Sequence, residues 1–333
     1  MMRWFWIVAA GVFLFGCASV PSGPPDWVAG KSAKYPDNQY LVGRGQSDTA
    51  EDARDRARAD LAKTLEVAVS AKSSDVVSFS SGAGGAGKVE SQISRSVATR
   101  TEQVVRGIQI ADTWQDPERK SHHALAVLPR AQAAMGLRAD IERFDAATRG
   151  YVEQARKAPD LLAQVASASR ALDAQRERDG LQRVLQVIDV TGRGVEPEFS
   201  SGRLAADLAA LLKRVRMKPQ AASGSPEELG RMLSAALSEA GFVPEAGADA
   251  PYSLLASLQL DDLGLIDGWY WMRGTLEVQL AETTGGKVRG SKRWEIKTSS
   301  PQKPTARRRA LDEADILLKR ELRPAILGFA VGN

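Results

Sequence analysis

The sequence predicts an α+β fold: two small α/β sandwich domains joined by a helical hairpin and preceded by a signal peptide. Three observations carry that expectation. Strand, helix and hairpin signals follow one another over residues 26–130, a breaker-poor stretch rich in Ala, Leu, Arg, Glu and Gln fills 131–183, and a second run of alternating elements fills 184–328. At 333 residues the chain exceeds the usual single domain, and a composition 43% apolar and 26% charged is ordinary for globular proteins. That composition excludes a wholly disordered chain and a multispan membrane protein.

Residues 1–16 read as the signal peptide. Arg3 and the free amine make a short positive region, and Trp4 to Phe15 make an apolar run of the length signal peptides use. A bilayer span needs about 20 apolar residues, so this run is short for one. Counting on through Val20 approaches the lower limit, which leaves a retained anchor as the alternative. The single cysteine, Cys17, follows directly, so neither an internal disulfide nor a cysteine-based zinc site is available. Leu14-Phe15-Gly16-Cys17 resembles the lipobox read by lipoprotein signal peptidase, although Phe15 replaces the smaller residue common there. The resemblance implies a diacylglyceryl thioether and an amide-linked acyl chain such as palmitate on Cys17, and several acyl chains together anchor a protein stably. Ala18, where an Asp would signal inner-membrane retention, favours the outer membrane, periplasmic side. Residues 17–25 are then the lipidated cysteine and a stiff tether, SVPSGPP.

The first domain, 26–130, opens on Pro25-Asp26-Trp27-Val28. Tyr40 to Gly45 reads as a strand. Asp48 with Glu51, or Thr49 with Asp52, caps a helix in which Ala50, Ala53, Ala57, Leu61, Leu65 and Ala68 recur every three or four residues. This narrow, small-residue face suits close packing on a sheet. Val76 to Phe79 reads as a further short strand, before the Gly82 to Gly87 loop and a polar, helix-compatible stretch ending near Val105. Gly107 to Trp114 and Ser121 to Leu128 form a hairpin across Gln115 to Lys120.

The connector, 131–183, reads as a helical hairpin interrupted only at Gly150, Pro159 and Gly180, with Leu161, Leu162, Val165, Ala168, Ala171 and Leu172 as its apolar face. Spacing between domains explains it better than a partner coiled coil, because no heptad persists. In the second domain, 184–328, Val184 to Val190 reads as a strand and Ser201 to Val215 as a helix. Arg216 to Pro219 is a short strand, and Ser225-Pro226-Glu227-Glu228 starts a helix with Ser as cap and Gly241 as its end. Tyr252 to Leu260, Trp269 to Leu280 and Lys292 to Thr298 are strands, the last two joined by Thr284-Gly285-Gly286-Lys287. A final helix runs from Thr305 to about Leu322.

PDW, YLVGRG, the alanine-rich helix, GIQIADTW and ALAVLPR, in this order over about residues 25 to 130, resemble the LPP20 lipoprotein family. They are also similar to the amino-terminal domain of the flagellar FlgT family. The resemblance implies envelope-associated binding and assembly and supplies no catalytic residues. Element order over about 185 to 328 is similar to the TolB amino-terminal or LpoB-type fold of envelope lipoproteins. The two resemblances imply envelope protein partners, either flagellar ring components or a peptidoglycan synthase.

Several other functions are weighed against the residues. Gly82, Gly84 and Gly87 match a dinucleotide fingerprint and Gly87-Lys88 matches part of a P-loop, but Val89 stands where magnesium-binding Ser or Thr belongs, so a flexible loop is the better account. His122 and His123 are the only histidines, and neighbours on a strand face opposite ways, so no shared metal site is expected. The expectation is one surface and one partly buried ring. Arg307 to Arg309 is the densest basic cluster, and removing Arg3 leaves a charge of about +3, too weak a bias for nucleic acid. No cofactor, metal or catalytic set is expected, which makes the protein non-enzymatic, an envelope scaffold or assembly component with homo-oligomerisation open. Activation of a peptidoglycan synthase is the alternative, and an unrecognised hydrolase comes third. Trp269 and Trp271 share one strand face, so they are candidate partner-binding residues, although core packing is favoured for them because seven tryptophans in an aromatic-poor chain must mostly be buried.

Overall fold

A computed structural model describes residues 23–80, 107–247 and 249–330, with the backbone alone at 72–80. The signal peptide, Cys17, most of the tether and the Gly82 to Gly87 loop lie outside the described residues. The chain has an α+β fold with two compact sheet-containing units, whose described residues are 23–70 with 107–133 for one and 71–80, 134–247 and 249–330 for the other.

In the first unit, α1 (Asp26–Ala29) is followed by β1 (Tyr40–Ser47), α2 (Ala50–Ser80, as far as Ser70), β2 (Gln109–Gln115) and β3 (His122–Pro129). The sheet order is β1-β3-β2, antiparallel throughout, so β3 lies in the middle. Its alternation therefore buries both faces. Ala124, Ala126 and Leu128 meet Ala53, Ala57 and Leu61 of α2 on one face, while Leu125 and Val127 meet Trp27 on the other. The small-residue helix face is matched by glycines on β1. A Cβ at Gly45 would lie 2.0 Å from the Ala53 carbonyl oxygen, and one at Gly43 would lie 2.4 Å from that of Ala57. The helix backbone rests directly on the strand. The Thr49 hydroxyl accepts from the Asp52 N–H at 3.2 Å, which selects Thr49 over Asp48 as the cap.

The strand expected at Val76 to Phe79 is helical backbone, the end of α2. Valines favour strands only weakly and in context, whereas a helix already running adds one hydrogen bond for each residue it fixes until a breaker intervenes. No Gly or Pro occurs between Ala50 and Ser80.

The second unit contains the elements α3 (Arg130–Arg156, from Ala134 on), α4 (Leu161–Ile188), α5 (Ser201–Leu212), β4 (Arg216–Ala221), α6 (Glu228–Glu239), β5 (Val243–Pro244), β6 (Tyr252–Ile266), β7 (Trp269–Glu282), β8 (Val288–Ser300) and α7 (Lys303–Ala330). The strand order is β5-β4-β6-β7-β8, with β4 parallel to β5 and β6 and the rest antiparallel. Leu254, Leu258, Leu276 and Ile296 of the sheet form one core with Leu229 and Leu233 of α6, Ala310 and Leu318 of α7, and Leu162 and Val165 of α4.

The helical hairpin α3–α4 forms, and it breaks only around Pro159, since Gly150 and Gly180 both lie inside helices. The strand expected at Val184 to Val190 is instead the last turns of α4. Leu181, Val184, Leu185 and Ile188 are fully buried at i, i+3, i+4 and i+7, a helical period that outweighs their strand preference. Within this hairpin Arg178 is 1% exposed and donates through Nε to Asp145 at 3.1 Å and through Nη2 to the Val195 carbonyl at 2.7 Å. It thereby ties both helices to the loop that follows. Asp160 caps α4 by accepting from the Ala163 N–H at 2.8 Å and pairs with Arg289 of β8 at 2.5 Å.

Ser225 does not cap α6. The helix begins after Glu227, and the Ser225 hydroxyl accepts from the Leu258 N–H at 3.2 Å, because the chain there still lies beside β6, the neighbour of the strand it has just left.

Candidate interaction surface

The strands β6 and β7 are long, and they change character along their length. Their proximal parts bury Leu254, Ala256, Leu258, Leu276, Val278 and Leu280 against the helices. Beyond Leu260 the hairpin carries large apolar side chains into solvent, with Leu265 59%, Ile266 47% and Trp269 44% exposed. An apolar cluster left outside a unit's own core marks an interaction surface.

Two local features extend the hairpin past the point where the sequence suggested a strand end. The register shifts between Asp262 and Gly264, a bulge that absorbs one residue, and Gly264 takes φ 81° there. Asp267 and Gly268 then turn the chain with φ of 50° and 81°, the paired positive angles of a two-residue hairpin turn. The pairing brings Ile266 opposite Trp269, Leu265 opposite Tyr270 and Gly264 opposite Trp271. Opposite residues share a face, so Ile266, Trp269 and Trp271 lie on one side of the ribbon and Leu265 with Tyr270 on the other.

Core packing of Trp269 and Trp271 is therefore corrected. Tyr270, the aromatic between them, packs at the margin of the core, whereas Trp269 is exposed and Trp271 half-buried on the opposite face. Lys297 of β8 places its ammonium 4.9 Å from the Trp271 ring centroid. The tryptophans required by the core argument are elsewhere: Trp27 is buried and donates to Asp112 at 3.0 Å, and Trp294 packs against the second unit's core. Leu263, Leu265 and Ile266 were missed by sequence reasoning. The signal for them was Asp267-Gly268 flanked by apolar residues on both sides.

The base of the hairpin is polar. Lys303 pairs with Asp262 at 2.5 Å, and this bond, helped by the Gly264 N–H, holds the Asp262 carboxyl below the usual carboxylate range. Beside it lies a cleft of about 670 Å³ lined by residues 224–228, residues 258–261 and Arg307. Its charged lining residues are Glu227, Glu228, Asp261 and Arg307.

Of the other sequence candidates, Arg307 lines this cleft, and His122 and His123 belong to the first unit. His122 and His123 are both half-buried on β3, where one surface ring was expected, because the edge strands β1 and β2 flank them on either side. His123 Nε2 lies 3.3 Å from the Ser121 hydroxyl and its ring rests 5.2 Å from that of Trp114. Arg309 of the basic cluster donates to the Ser299 carbonyl at 2.6 Å. Among the described residues no three His, Cys, Asp or Glu side chains gather where a metal could sit, and no helix is long and apolar enough to cross a membrane.

Residues 25–129 match the model of the LPP20 lipoprotein family. No curated protein matches the chain. Among solved structures, a secreted protein of Helicobacter pylori is similar at 13% identity and a TM-score of 0.39, over 88% of this chain and 98% of that one. A candidate lipoprotein of Caulobacter crescentus is similar at 17% identity and a TM-score of 0.27, over 35% of this chain and 90% of that one.

Proposed function

We propose that the protein is a non-enzymatic assembly component of the cell envelope, anchored in the outer membrane by acyl chains on Cys17 and facing the periplasm, which docks other envelope proteins. The observation that carries this reading is the exposed apolar end of the β6–β7 hairpin, where Leu265, Ile266 and Trp269 stand outside the core of their unit. These side chains are about half exposed, so covering them supplies about half the stabilisation of full burial, roughly 1 kcal/mol each. The Leu14 to Cys17 segment lies just ahead of the LPP20 match, an order consistent with a lipid-anchored folded domain. Flagellar ring proteins are the first partners to examine, and a peptidoglycan synthase is the alternative.

A photoreactive residue placed at position 269 in living cells tests the reading, with position 287 on the exposed β7–β8 turn as the comparison. A discrete adduct with an envelope protein at 269 and none at 287 is expected. Its identity separates the two partner classes. Absence of any adduct at 269, or the same adducts at both positions, would overturn the docking role.

A further inference from the structure

The second unit's sheet is incomplete along one edge. The strand β4 pairs with β6 only from Met217 opposite Tyr252 to Ala221 opposite Ala256. The chain then leaves, making two last contacts: the Ala222 N–H donates to the Ala256 carbonyl at 2.8 Å and the Leu258 N–H donates to Ser225. From Gln259 to Ile266 β6 is paired with β7 on its other side and, among the described residues, with no strand on this one.

The direction of the free groups follows from strand geometry. Successive residues of a strand turn their main-chain N–H and C=O to alternate sides. Ala256 and Leu258 turn theirs toward β4, so Leu260 and Asp262 turn theirs the same way, into the space where β4 would have continued. That space is the cleft of about 670 Å³ beside Leu258 to Asp261. Gln259 to Ile266 spans roughly 25 Å at the usual rise of a strand, room for one of ordinary length.

We propose that this edge accepts an extended segment of a partner protein as an added strand, and that the segment is basic. The inference rests on the docking role above and names the chemistry of the partner. An unpaired strand edge is a template for a further strand: main-chain hydrogen bonds supply affinity and flanking side chains supply selectivity. The charged residues that line the cleft are Glu227, Glu228 and Asp261 with Arg307, an acidic excess that favours lysine or arginine on the incoming strand. Leu263 at the bulge and Leu265 beyond it offer apolar contact. A second copy of this chain is a poor occupant, because edge-to-edge pairing would bring the same carboxylates together from both copies.

Peptides alternating lysine with valine serve as the probe, with the glutamate-valine counterpart as the charge control. Binding to the full chain is followed by fluorescence anisotropy and by hydrogen exchange. The basic peptide is expected to protect amides within 259–266, to bind at least tenfold more tightly than the acidic one, and to lose at least tenfold on methylation of alternate peptide nitrogens. N-methylation leaves its charge intact and removes the donors a strand needs. Glu227→Lys with Glu228→Lys should erase the charge preference without altering the fold, since both positions are solvent-facing. Equal binding of the methylated peptide, no binding of the basic peptide, or protection of 259–266 that grows with concentration of the chain alone would overturn strand addition. Adducts from position 269 in cells with no peptide binding would overturn this inference and leave the docking role standing; peptide binding without adducts would do the reverse.

Discussion

The contact between α2 and β1 gives the sharpest prediction, because the same substitution at two glycines should have opposite effects. At Gly45 a Cβ would fall 2.0 Å from the Ala53 carbonyl oxygen and 2.4 Å from the Ala57 nitrogen, whereas ordinary contacts begin at 3.4 Å. Both obstacles are helix backbone, so no side chain can rotate away. Relief requires the helix to retreat by more than an ångström from the strand. A gap of about 1 Å already forfeits roughly half of the dispersion energy across an interface, and here it would open the packing of Ala53, Ala57 and Leu61 on Ala124, Ala126 and Leu128. Overpacking of this kind typically costs about 1–3 kcal/mol, and clashes with backbone belong at the upper end. Gly45→Ala should therefore destabilise the first unit by about 3 kcal/mol, more than a hundredfold in its folding equilibrium. Gly136→Ala is the comparison. That glycine is exposed inside α3 with nothing within 4 Å of the added carbon, and the change should stabilise by about 0.5–1 kcal/mol. Denaturant melts of the chain produced from Ala18 onward, read by hydrogen exchange at Ala124 to Leu128 for the first substitution and in α3 for the second, measure both. An unchanged midpoint for Gly45→Ala would refute the close-packing argument.

Two further predictions concern the helical hairpin. Arg178→Ala removes a cation that is almost wholly buried and leaves Asp145 and the Val195 carbonyl without their 3.1 and 2.7 Å bonds, so it should cost the second unit about 3 kcal/mol in urea denaturation; a loss below about 1 kcal/mol would contradict the buried pair. Asp179 is held above the usual carboxylate range by burial, against hydrogen bonds from Ser201 and Gln175 that act in the opposite direction. A raised folded pKa gives a stabilising contribution that is complete below the unfolded value and is lost as pH rises through the folded one. Asp179→Asn should then gain stability relative to the parent as pH rises above about 4, the ordinary range of an unfolded aspartate, and parallel stability curves would exclude this role for the burial of Asp179.

Much of the fold was legible because its signals were periodic. The alanine spacing of α2 announced a close helix-on-sheet contact, and the β2–β3 and β7–β8 turns carried their usual residues. Short apolar runs were misread, since periodicity over four to seven residues does not separate a strand from a helical turn. At Val184 to Val190 the decisive residue was Leu181, which lies outside the run and completes its helical spacing. The interaction surface was half visible. Trp269 and Trp271 stood out by type, but a preference for burial follows from composition and is blind to which side of a strand faces the helices. The charged pair Asp261-Asp262 and Gly264 resembled a strand end, and only the bulge reveals that the ribbon continues to Ile266. The open edge of β6 had no local signature, because it arises where a different segment, β4, stops.

The account stands on an anchored chain presenting these surfaces to the periplasm, so the most direct measurement is the mass of the amino-terminal peptide from protein extracted out of cell envelopes. The account predicts that residues 1–16 are absent and that Cys17 carries a diacylglyceryl group with an additional acyl chain. An amino-terminal peptide that retains Met1, or an unmodified Cys17, would contradict it.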